Sequence, residues 1–327
     1  MKGKTLLLAF LMGIVIPSGI FTIAERFIPA NRISPPETNT IPQQTEQKQP
    51  IIQSENKIPV LQTDGTVVNM ELEEYLVGVI LGEMPLDFDM EALKAQAVVA
   101  RTYTMRRNTF APKHTGGAVC IEPACCQSYC KPEAYLASGG TDALLQKAVS
   151  AISATAGQVI TYNGALIEAT YYSCSGGRTE DAVAVWGTDI PYLQAVDSPG
   201  EENAAHYRDT VILSKVDFAK HLGINISNNT SNLIGPVAYT EGGGVDTIII
   251  AGVSFKGTEL RQKLGIRSTA FTITILGDSV YITTKGFGHR VGMSQYGAEA
   301  MAVSGNSYEA IIAHYYPGTE LVLYNRN

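Results

Sequence analysis

The sequence predicts an α+β protein: an N-terminal membrane anchor helix, then a mixed helical and β-rich extracytoplasmic domain. Three observations predict this arrangement. An uncharged apolar run covers residues 5–24, helical apolar spacing dominates residues 71–107, and strand-like runs begin after residue 148. Of the 327 residues, 45% are hydrophobic, which is enough for a sizeable core in one large or two modest domains.

The N-terminal run has the length of a membrane span. It is preceded by a short cytoplasmic tip, residues 1–4, whose two lysines orient the N-terminus inwards by the positive-inside rule. A cleaved signal peptide is the alternative, because Pro17 to Gly19 could end a shorter apolar region. No clear small-x-small cleavage site follows, which favours an uncleaved single-pass anchor. In both cases the rest of the chain lies outside the cytoplasm.

Residues 25–57 are predicted to be a disordered tether, because they are rich in Pro and Gln and carry little apolar periodicity. The folded domain is predicted to cover residues 58–327. The chain has 24 Lys and Arg against 31 Asp and Glu, a formal net charge of −7. This balance argues against a nucleic-acid partner, which requires a basic face.

Residues 71–83 predict an amphipathic helix that ends in a carboxylate. Its buried face carries apolar residues at three- and four-residue steps, namely Leu72, Tyr75, Leu76, Val79 and Ile80. The next position on that face is Glu83, followed by Met84 and Pro85, and proline disfavours helix in the residue before it. Burial would raise the pKa of this carboxyl, so that it could serve as a general acid. A glutamate facing solvent at a helix end is the alternative.

A second helix is predicted to follow and to pack closely on the first. Asp87 or Asp89 can cap its N-terminus, with Glu91 in its first turn. Its apolar face is narrow and made largely of small residues, namely Leu93, Ala97, Ala100 and Thr104.

A loop rich in Gly and Pro holds four of the five cysteines and one histidine. His114, Cys120 and Cys126 are spaced at equal intervals, and imidazole with thiolates is a zinc-binding set. We predict a zinc site at these three residues, with water or Cys130 in a fourth position. Disulfides are the main alternative outside the cytoplasm, with three possible pairings, although adjacent Cys125 and Cys126 could hardly bond each other. Free thiols are the third possibility.

Residues 159–172 predict a hairpin with a two-residue Asn-Gly turn at 163–164. The second strand leads into a Ser-Cys-Ser-Gly-Gly loop at 173–177, whose hydroxyl and glycine residues could approach a sugar closely. We expect Trp186, the single tryptophan, in the core rather than stacked on a sugar ring. Residues 206–271 are predicted to be an insert or subdomain without chemistry of its own.

The closing motif spans residues 286–298 and reads Gly-Phe-Gly-His-Arg-Val-Gly-Met-Ser-Gln-Tyr-Gly-Ala. It is predicted to lead into helices at 298–303 and 308–316. His289 and Gln295 could orient a substrate or hold Glu83, although a histidine satisfied in the core is the alternative.

Several of these stretches together resemble the stage II sporulation protein D family, which includes the amidase enhancers. They are Gly-Glu-Met-Pro at 82–85, Lys-Ala-Gln-Ala at 94–97 with Ala-Arg-Thr-Tyr at 100–103, the 173–177 loop, and the closing motif. Arg290 stands where the family has glycine, and arginine is reluctant to adopt a positive φ. The cysteine loop is not part of the family pattern.

The resemblance implies a lytic transglycosylase that cuts the glycan strands of peptidoglycan, with Glu83 as the catalytic acid. Substrate contacts are then expected from seven residues, namely Arg101, Tyr171, Ser173, Ser175, Gly176, His289 and Gln295. Ordinary glycosidases use two carboxylates. Only Glu83 lies in a motif here, and one carboxylate is enough where the substrate supplies its own nucleophile.

The resemblance also implies a place and partners: the space between forespore and mother cell during engulfment, with a partner amidase and another membrane protein. The implied substrate is glycan already stripped of stem peptides. One alternative is a non-catalytic glycan-binding enhancer of an amidase. Another is a zinc hydrolase at the Cys/His loop, although such enzymes more often use His and carboxylate ligands.

Overall fold

The computed structural model describes residues 57–226 and 233–324. The predicted cytoplasmic tip, the anchor at 5–24 and all but the last residue of the predicted tether lie outside these residues. Within the described ranges, every helix is too short or too polar to serve as a bilayer span. The mixture of helices and small sheets confirms the predicted α+β class.

The first elements form a hairpin and a helical layer. Their bounds are β1 (Lys57–Leu61), β2 (Val67–Glu71), α1 (Leu72–Glu83), α2 (Met90–Thr109), β3 (Val119–Cys120), α3 (Pro132–Ala137) and α4 (Asp142–Ala154). The apolar stripe of α1 is fully buried, as the spacing predicts. Asp89 caps α2, since its side chain accepts a hydrogen bond from the Glu91 N–H at 2.8 Å.

The central elements begin with the predicted hairpin: β4 (Gln158–Tyr162), β5 (Ala165–Leu166), β6 (Tyr171–Tyr172) and α5 (Ala182–Trp186). Asn163 and Gly164 both have positive φ, 50° and 77°, as a type I′ turn requires. The second strand is shorter than predicted. It leaves the hairpin after Leu166, and β6 pairs instead in parallel with the closing motif near the C-terminus.

A second hydrophobic core lies between Arg208 and Lys285. It is built from β7 (Arg208–Ser214), α6 (Lys215–Leu222), β8 (Ile234–Tyr239), β9 (Val245–Ile250), β10 (Val253–Lys256), α7 (Gly257–Leu264), β11 (Phe271–Leu276) and β12 (Ser279–Lys285). The strands form two three-stranded sheets, ordered β10-β9-β8 and β11-β12-β7. The range predicted as an insert, 206–271, lies mostly inside this region, which continues for a further β-hairpin.

The first hydrophobic core is built on α1, α2, α4 and β4. The last elements of the chain pack into it: β13 (Met293–Ser294), α8 (Gln295–Val303), α9 (Tyr308–Tyr315) and β14 (Glu320–Leu323). The helix predicted from residue 298 starts at Gln295, because Ser294 caps it by accepting from the Gly297 N–H. Glu299 accepts a hydrogen bond from the Asp89 N–H at 2.6 Å, which ties α8 to the start of α2. The helix that follows the closing motif is thereby held against α2.

Candidate active site

Glu83 is the last residue of α1, and the backbone turns extended at Met84, whose N–H donates to the Ile80 carbonyl at 3.1 Å. Two glycines on α1 let the following cysteine loop lie directly on the helix. A Cβ on Gly78 would come within 2.1 Å of the Tyr129 ring, and one on Gly82 within 2.8 Å of the Ser128 backbone. The helix end and the loop therefore meet at Glu83.

The Glu83 carboxylate is partly buried and faces three polar groups. The Ser128 N–H donates to its Oε1 at 2.5 Å. Burial raises the pKa of Glu83 above its usual range, while its interactions with Ser128, Gln295 and Tyr171 lower it to a smaller extent. The raised pKa is the direction that the apolar stripe of α1 predicts, and it favours the protonated acid.

Tyr171 connects Glu83 to the interior. Its hydroxyl donates to Gln127 Oε1 at 3.1 Å. The amide of Gln127 in turn donates to Thr104 at 2.9 Å and to Tyr75 at 3.3 Å, and Gln127 is fully buried. This chain of hydrogen bonds fixes the phenol beside the carboxylate.

Gln295 and His289 come from the closing motif and line the same cleft as Glu83. Gln295 is 5% exposed, and its Nε2 has no hydrogen-bond partner of ordinary geometry among the described residues, although the side chain lowers the Glu83 pKa. Burial and the charge of Arg261 lower the pKa of His289 to about 4, so the imidazole is neutral near pH 7. Its Nδ1 accepts from the Val291 N–H at 3.1 Å, which leaves Nε2 as the protonated nitrogen.

The cleft has a volume of about 830 Å³, and its walls come from α1, α2, the cysteine loop, β6 and the closing motif. Trp186 is 43% exposed and lies at the cleft with its ring 5.5 Å from that of His289. The expectation that Trp186 lies in the core is therefore wrong. Helix α5 has only five residues, and of these only Ala182 is buried. An exposed indole beside a cleft can stack on a sugar ring.

A His/Cys cluster lies along the cleft. One ligand atom from each of His114, Cys120, Cys125 and Cys126 lies within 4.8 Å of all the others. The His114 Nε2 is 3.4 Å from the Cys126 sulfur and 3.6 Å from that of Cys125. A tetrahedral zinc site places its ligand atoms at about these separations. The four side chains therefore fit a metal ion, and all five cysteines of the chain are free thiols.

The composition of this cluster differs in one member from the sequence-based expectation. The fourth side chain is Cys125 rather than Cys130, whose thiol instead contacts the Lys131 carbonyl at 3.6 Å. Adjacent cysteines cannot easily bond each other, but their sulfurs can bind one ion from neighbouring positions.

Arg101 does not lie at the cleft, contrary to the expectation that it binds substrate. Its side chain is 1% exposed and forms a two-pronged ion pair with Glu73, at 2.6 and 2.9 Å. It also donates to the Ile152 and Gln158 carbonyls. Arg101 therefore joins α1, α2, α4 and β4 inside the core, where a bidentate arginine satisfies a buried carboxylate.

The 173–177 loop divides between cleft and interior. Ser173 lines the cleft, as does Tyr171. Ser175 is fully buried, and its N–H and hydroxyl, together with the Gly176 N–H, all donate to Glu201 Oε2 at 2.8 Å. The expectation that Ser175 and Gly176 contact substrate is corrected: they hold the loop in shape. Sequence reasoning missed Glu201, which lies in no motif and is 1% exposed.

Arg290 adopts φ 68°, the glycine-like backbone that the closing motif requires. Its side chain is buried and its Nη1 pairs with Glu180 at 2.9 Å. The guanidinium also donates to three carbonyls, those of Ser175, Arg178 and Gly242, at 2.7–2.8 Å. These bonds offset the backbone strain, so the loop keeps its path despite the substitution.

The fold and the cleft define an α+β protein that holds a protonatable glutamate among a tyrosine, an amide and an exposed indole, beside a cluster suited to a metal ion. Comparison with known proteins places this chain more narrowly. A family model described as "Stage II sporulation protein" matches residues 62–162. The chain belongs to the stage II sporulation protein D family.

Three relatives support this membership. Stage II sporulation protein D of Bacillus subtilis (strain 168) is 38% identical over 261 residues, which cover 78% of this chain and 76% of that protein. The protein of the same name from Bacillus amyloliquefaciens is 40% identical, with 78% and 75% covered. The Amidase enhancer of Bacillus subtilis (strain 168) is 30% identical over 76% of this chain and 40% of its own length. The family resemblance expected from the motifs is confirmed.

Proposed function

We propose that this protein is a peptidoglycan lytic transglycosylase that cleaves the bond between N-acetylmuramic acid and N-acetylglucosamine. The observation that carries the proposal is Glu83, a carboxyl whose burial at the cleft raises its pKa and which is fixed by the Ser128 N–H. A protonated carboxylic acid in a sugar-sized cleft is the group that glycosidic cleavage requires. Its family membership is consistent with this assignment.

The reaction needs one carboxyl group acting twice. Glu83 gives its proton to the glycosidic oxygen, and the bond from that oxygen to the anomeric carbon breaks. The C6 hydroxyl of the same muramic residue attacks the anomeric carbon and returns its proton to Glu83. The product is a 1,6-anhydro end, and no water is consumed. Because the nucleophile belongs to the substrate, no second carboxylate has to activate it.

Neighbouring side chains have supporting roles in this proposal. Tyr171 and Gln295 orient the carboxyl, and the buried Gln295 amide nitrogen, which has no hydrogen-bond partner of ordinary geometry among the described residues, can donate to the sugar. Ser173 lines the cleft and can bind a sugar hydroxyl, and the neutral ring of His289 lines it beside Trp186. Trp186 offers a stacking surface for a pyranose ring.

We further propose that the His/Cys cluster holds zinc in a structural or accessory role. A bound zinc ion would fix the cysteine loop, and that loop carries both the Ser128 N–H and the buried amide of Gln127. His114, Cys120, Cys125 and Cys126 would be its ligands. A closed set of four protein ligands is typical of structural zinc, which disfavours a zinc hydrolase.

The biological setting belongs to the same proposal. We place the protein in the membrane through residues 5–24, with the domain in the space between forespore and mother cell. There it would act on glycan strands stripped of stem peptides, together with a partner amidase and a membrane protein of the engulfment machinery.

The test is product analysis by mass spectrometry after incubation of the full-length chain with purified glycan strands. We expect 1,6-anhydro ends, lighter than hydrolysed ends by one water, and we expect Glu83→Gln to abolish them while strands still bind. Glu74→Gln, which changes an exposed glutamate on the same helix, should cleave normally. Full activity of the Glu83→Gln variant would contradict the proposal.

A non-catalytic enhancer is a second candidate, and the relative named Amidase enhancer favours it. In that case the chain would bind strands and release no product, and an amidase added alongside would work faster. Glu83→Gln would then leave the stimulation unchanged.

A further inference from the structure

Two basic side chains line the cleft of this chain, whose formal net charge is −7. Arg107 and Lys113 line it, and Arg106 lies behind them. The acidic counterpart is Glu168, which both arginines share: Arg106 Nε donates to it at 3.0 Å, and Arg107 pairs with its other oxygen. The cleft wall therefore carries two basic side chains, Arg107 and Lys113, and two acidic ones, Glu83 and Glu168, of which Glu168 is the partner of Arg107.

Stacking and an ion pair hold the Arg107 guanidinium in place, and not all of its N–H groups have a hydrogen-bond partner among the described residues. Its guanidinium stacks over the Tyr103 ring at 4.9 Å, and its side chain is 16% exposed. One of its nitrogens contacts Glu168, while Nε has no hydrogen-bond partner among the described residues. Lys113 extends this basic surface, and its ammonium group contacts only a neutral acceptor in the described chain, the Cys125 carbonyl.

We propose that Arg107, assisted by Lys113, is a specificity-determining residue that reads a carboxylate carried by the muramic residue of the substrate. The inference rests on the proposed function and names the substrate class of the same cleft. A planar guanidinium fixed by stacking matches a carboxylate in two-pronged geometry. The acidic side chains that line the same cleft are Glu83 and Glu168, and only Glu168 contacts Arg107 among the described residues.

Two sources can supply that carboxylate. Muramic acid carries a lactyl group, which is a free carboxylate when no peptide is attached and a neutral amide when a stem peptide is attached. A stem peptide in turn brings carboxylates of its own, farther from the sugar ring. The shared chemistry is an anionic group on the muramic residue, and three strand preparations separate the sources.

The experiment compares strands with free lactyl carboxylates, strands whose lactyl groups are converted to carboxamides, and strands with intact stem peptides. Cleavage by the full-length chain is followed as kcat/KM. We expect free carboxylate strands to exceed carboxamide strands by roughly 10- to 100-fold, the range of one charged hydrogen-bonded contact. In Arg107→Gln this ratio should fall to about one. Arg107→Lys should keep part of it, because the charge remains and the planar fork is lost.

Lys220→Gln is the matched control, because it removes one positive charge from an exposed position on α6. It should leave the carboxylate-to-carboxamide ratio of kcat/KM unchanged. Equal cleavage of carboxylate and carboxamide strands by the unaltered chain would overturn the proposal, even if Arg107→Gln does not fold. Peptide-bearing strands cleaved as well as free carboxylate strands, in an Arg107-dependent way, would assign the recognised group to the peptide.

A binding arm separates this inference from the proposed function. The Glu83→Gln variant is titrated with the same strands, and the affinity ratio is measured without any cleavage. A carboxylate preference in binding with no cleavage by the unaltered chain would contradict the transglycosylase and support the carboxylate reader. Cleavage without a carboxylate preference would do the reverse.

Discussion

At the scale of single residues, the raised pKa of Glu83 means that ionising this carboxyl at neutral pH destabilises the folded protein. The neutral form gives stability that is full below the unfolded pKa and is lost as pH rises through the higher folded pKa. We therefore expect Glu83→Gln to raise the Tm at neutral pH by roughly 2–4 °C, the shift that about 1 kcal/mol gives in a domain of this size. The gain should vanish near pH 4 in thermal unfolding scans. A lower Tm at pH 7 would mean that the carboxylate is a stabilising group.

His289 makes the opposite pH prediction. Its folded pKa of about 4 lies below the usual 6.5, so its contribution to stability is present above pH 6.5 and is lost as pH falls towards 4. We expect its ring proton signals in NMR to stay constant between pH 8 and 5. His289→Gln should flatten the acid side of the stability curve. A midpoint near 6.5 for His289 would show that the imidazole is solvated.

The residue types of the site were partly predictable from the sequence. Glu83 was found because it interrupts an apolar stripe, which is a local signal. The motif predicts a substrate contact for Arg101, because a motif does not distinguish a residue that forms an ion pair from one that binds a ligand. Its partner, Glu73, is 28 positions away and gave no signal. Glu201 was missed for the same reason: its donors lie some 25 residues earlier in the chain.

At the scale of elements, the cysteine loop joins the metal cluster to Glu83. We expect one zinc ion per chain by native mass spectrometry. We also expect Cys126→Ser to lose the ion and to lower the Tm by roughly 5 °C or more, as loss of about 2 kcal/mol would. Cys130→Ser is the matched control in the same loop, because its thiol lies outside the cluster. Paired thiols in protein prepared without chelator would contradict the zinc assignment.

Arg290 links three elements, and its pair with Glu180 gives a second prediction at this scale. Arg290→Gly relieves a positive φ that costs about 1–3 kcal/mol, but it leaves a buried carboxylate without its cation, which costs about 3–5 kcal/mol. We expect a net loss of about 2 kcal/mol in denaturant unfolding. Adding Glu180→Gln should recover part of that loss, since the unpaired charge is removed. An equal or larger loss in the double variant would show that the charge is not what destabilises.

The sequence predicts helices, caps and turns correctly where the residues that determine them are close together in the chain. The α1 stripe, the Asp89 cap and the Asn163-Gly164 turn are all written within a few residues and were predicted. The strand predicted up to residue 172 fails because Tyr171 and Tyr172 pair in parallel with Met293 and Ser294, more than 120 positions away. Periodicity carries no information on such a partner.

At the scale of the whole molecule, the two ends of the segment that forms the second core lie next to each other. The Gly286 N–H donates to the Tyr207 carbonyl at 2.9 Å, so the chain enters and leaves this region at one point. This region contacts buried Glu180, which accepts from the Thr240 hydroxyl at 2.8 Å and from the Gly244 N–H at 2.9 Å, and it also contacts the closing motif. Gly242 accepts from Arg290, the Gly288 N–H donates to the Arg267 carbonyl at 3.1 Å, and Arg267 stacks on Phe287 at 4.8 Å. These contacts involve Glu180 and the closing motif rather than Glu83.

Replacing residues 208–285 by a short Gly-Ser linker should therefore leave a protein that folds and cleaves. The hydrogen-bond partners of Glu83 are Ser128, Tyr171 and Gln295, which all lie outside residues 208–285. We expect cleavage to fall by about tenfold, because the loop that holds His289 loses the Arg267 carbonyl, a contact of about 1 kcal/mol. The pKa of His289 should also rise, since the charge of Arg261 is removed. NMR titration and product analysis measure the two effects. Complete loss of cleavage in a folded variant would assign the second core a direct part in catalysis.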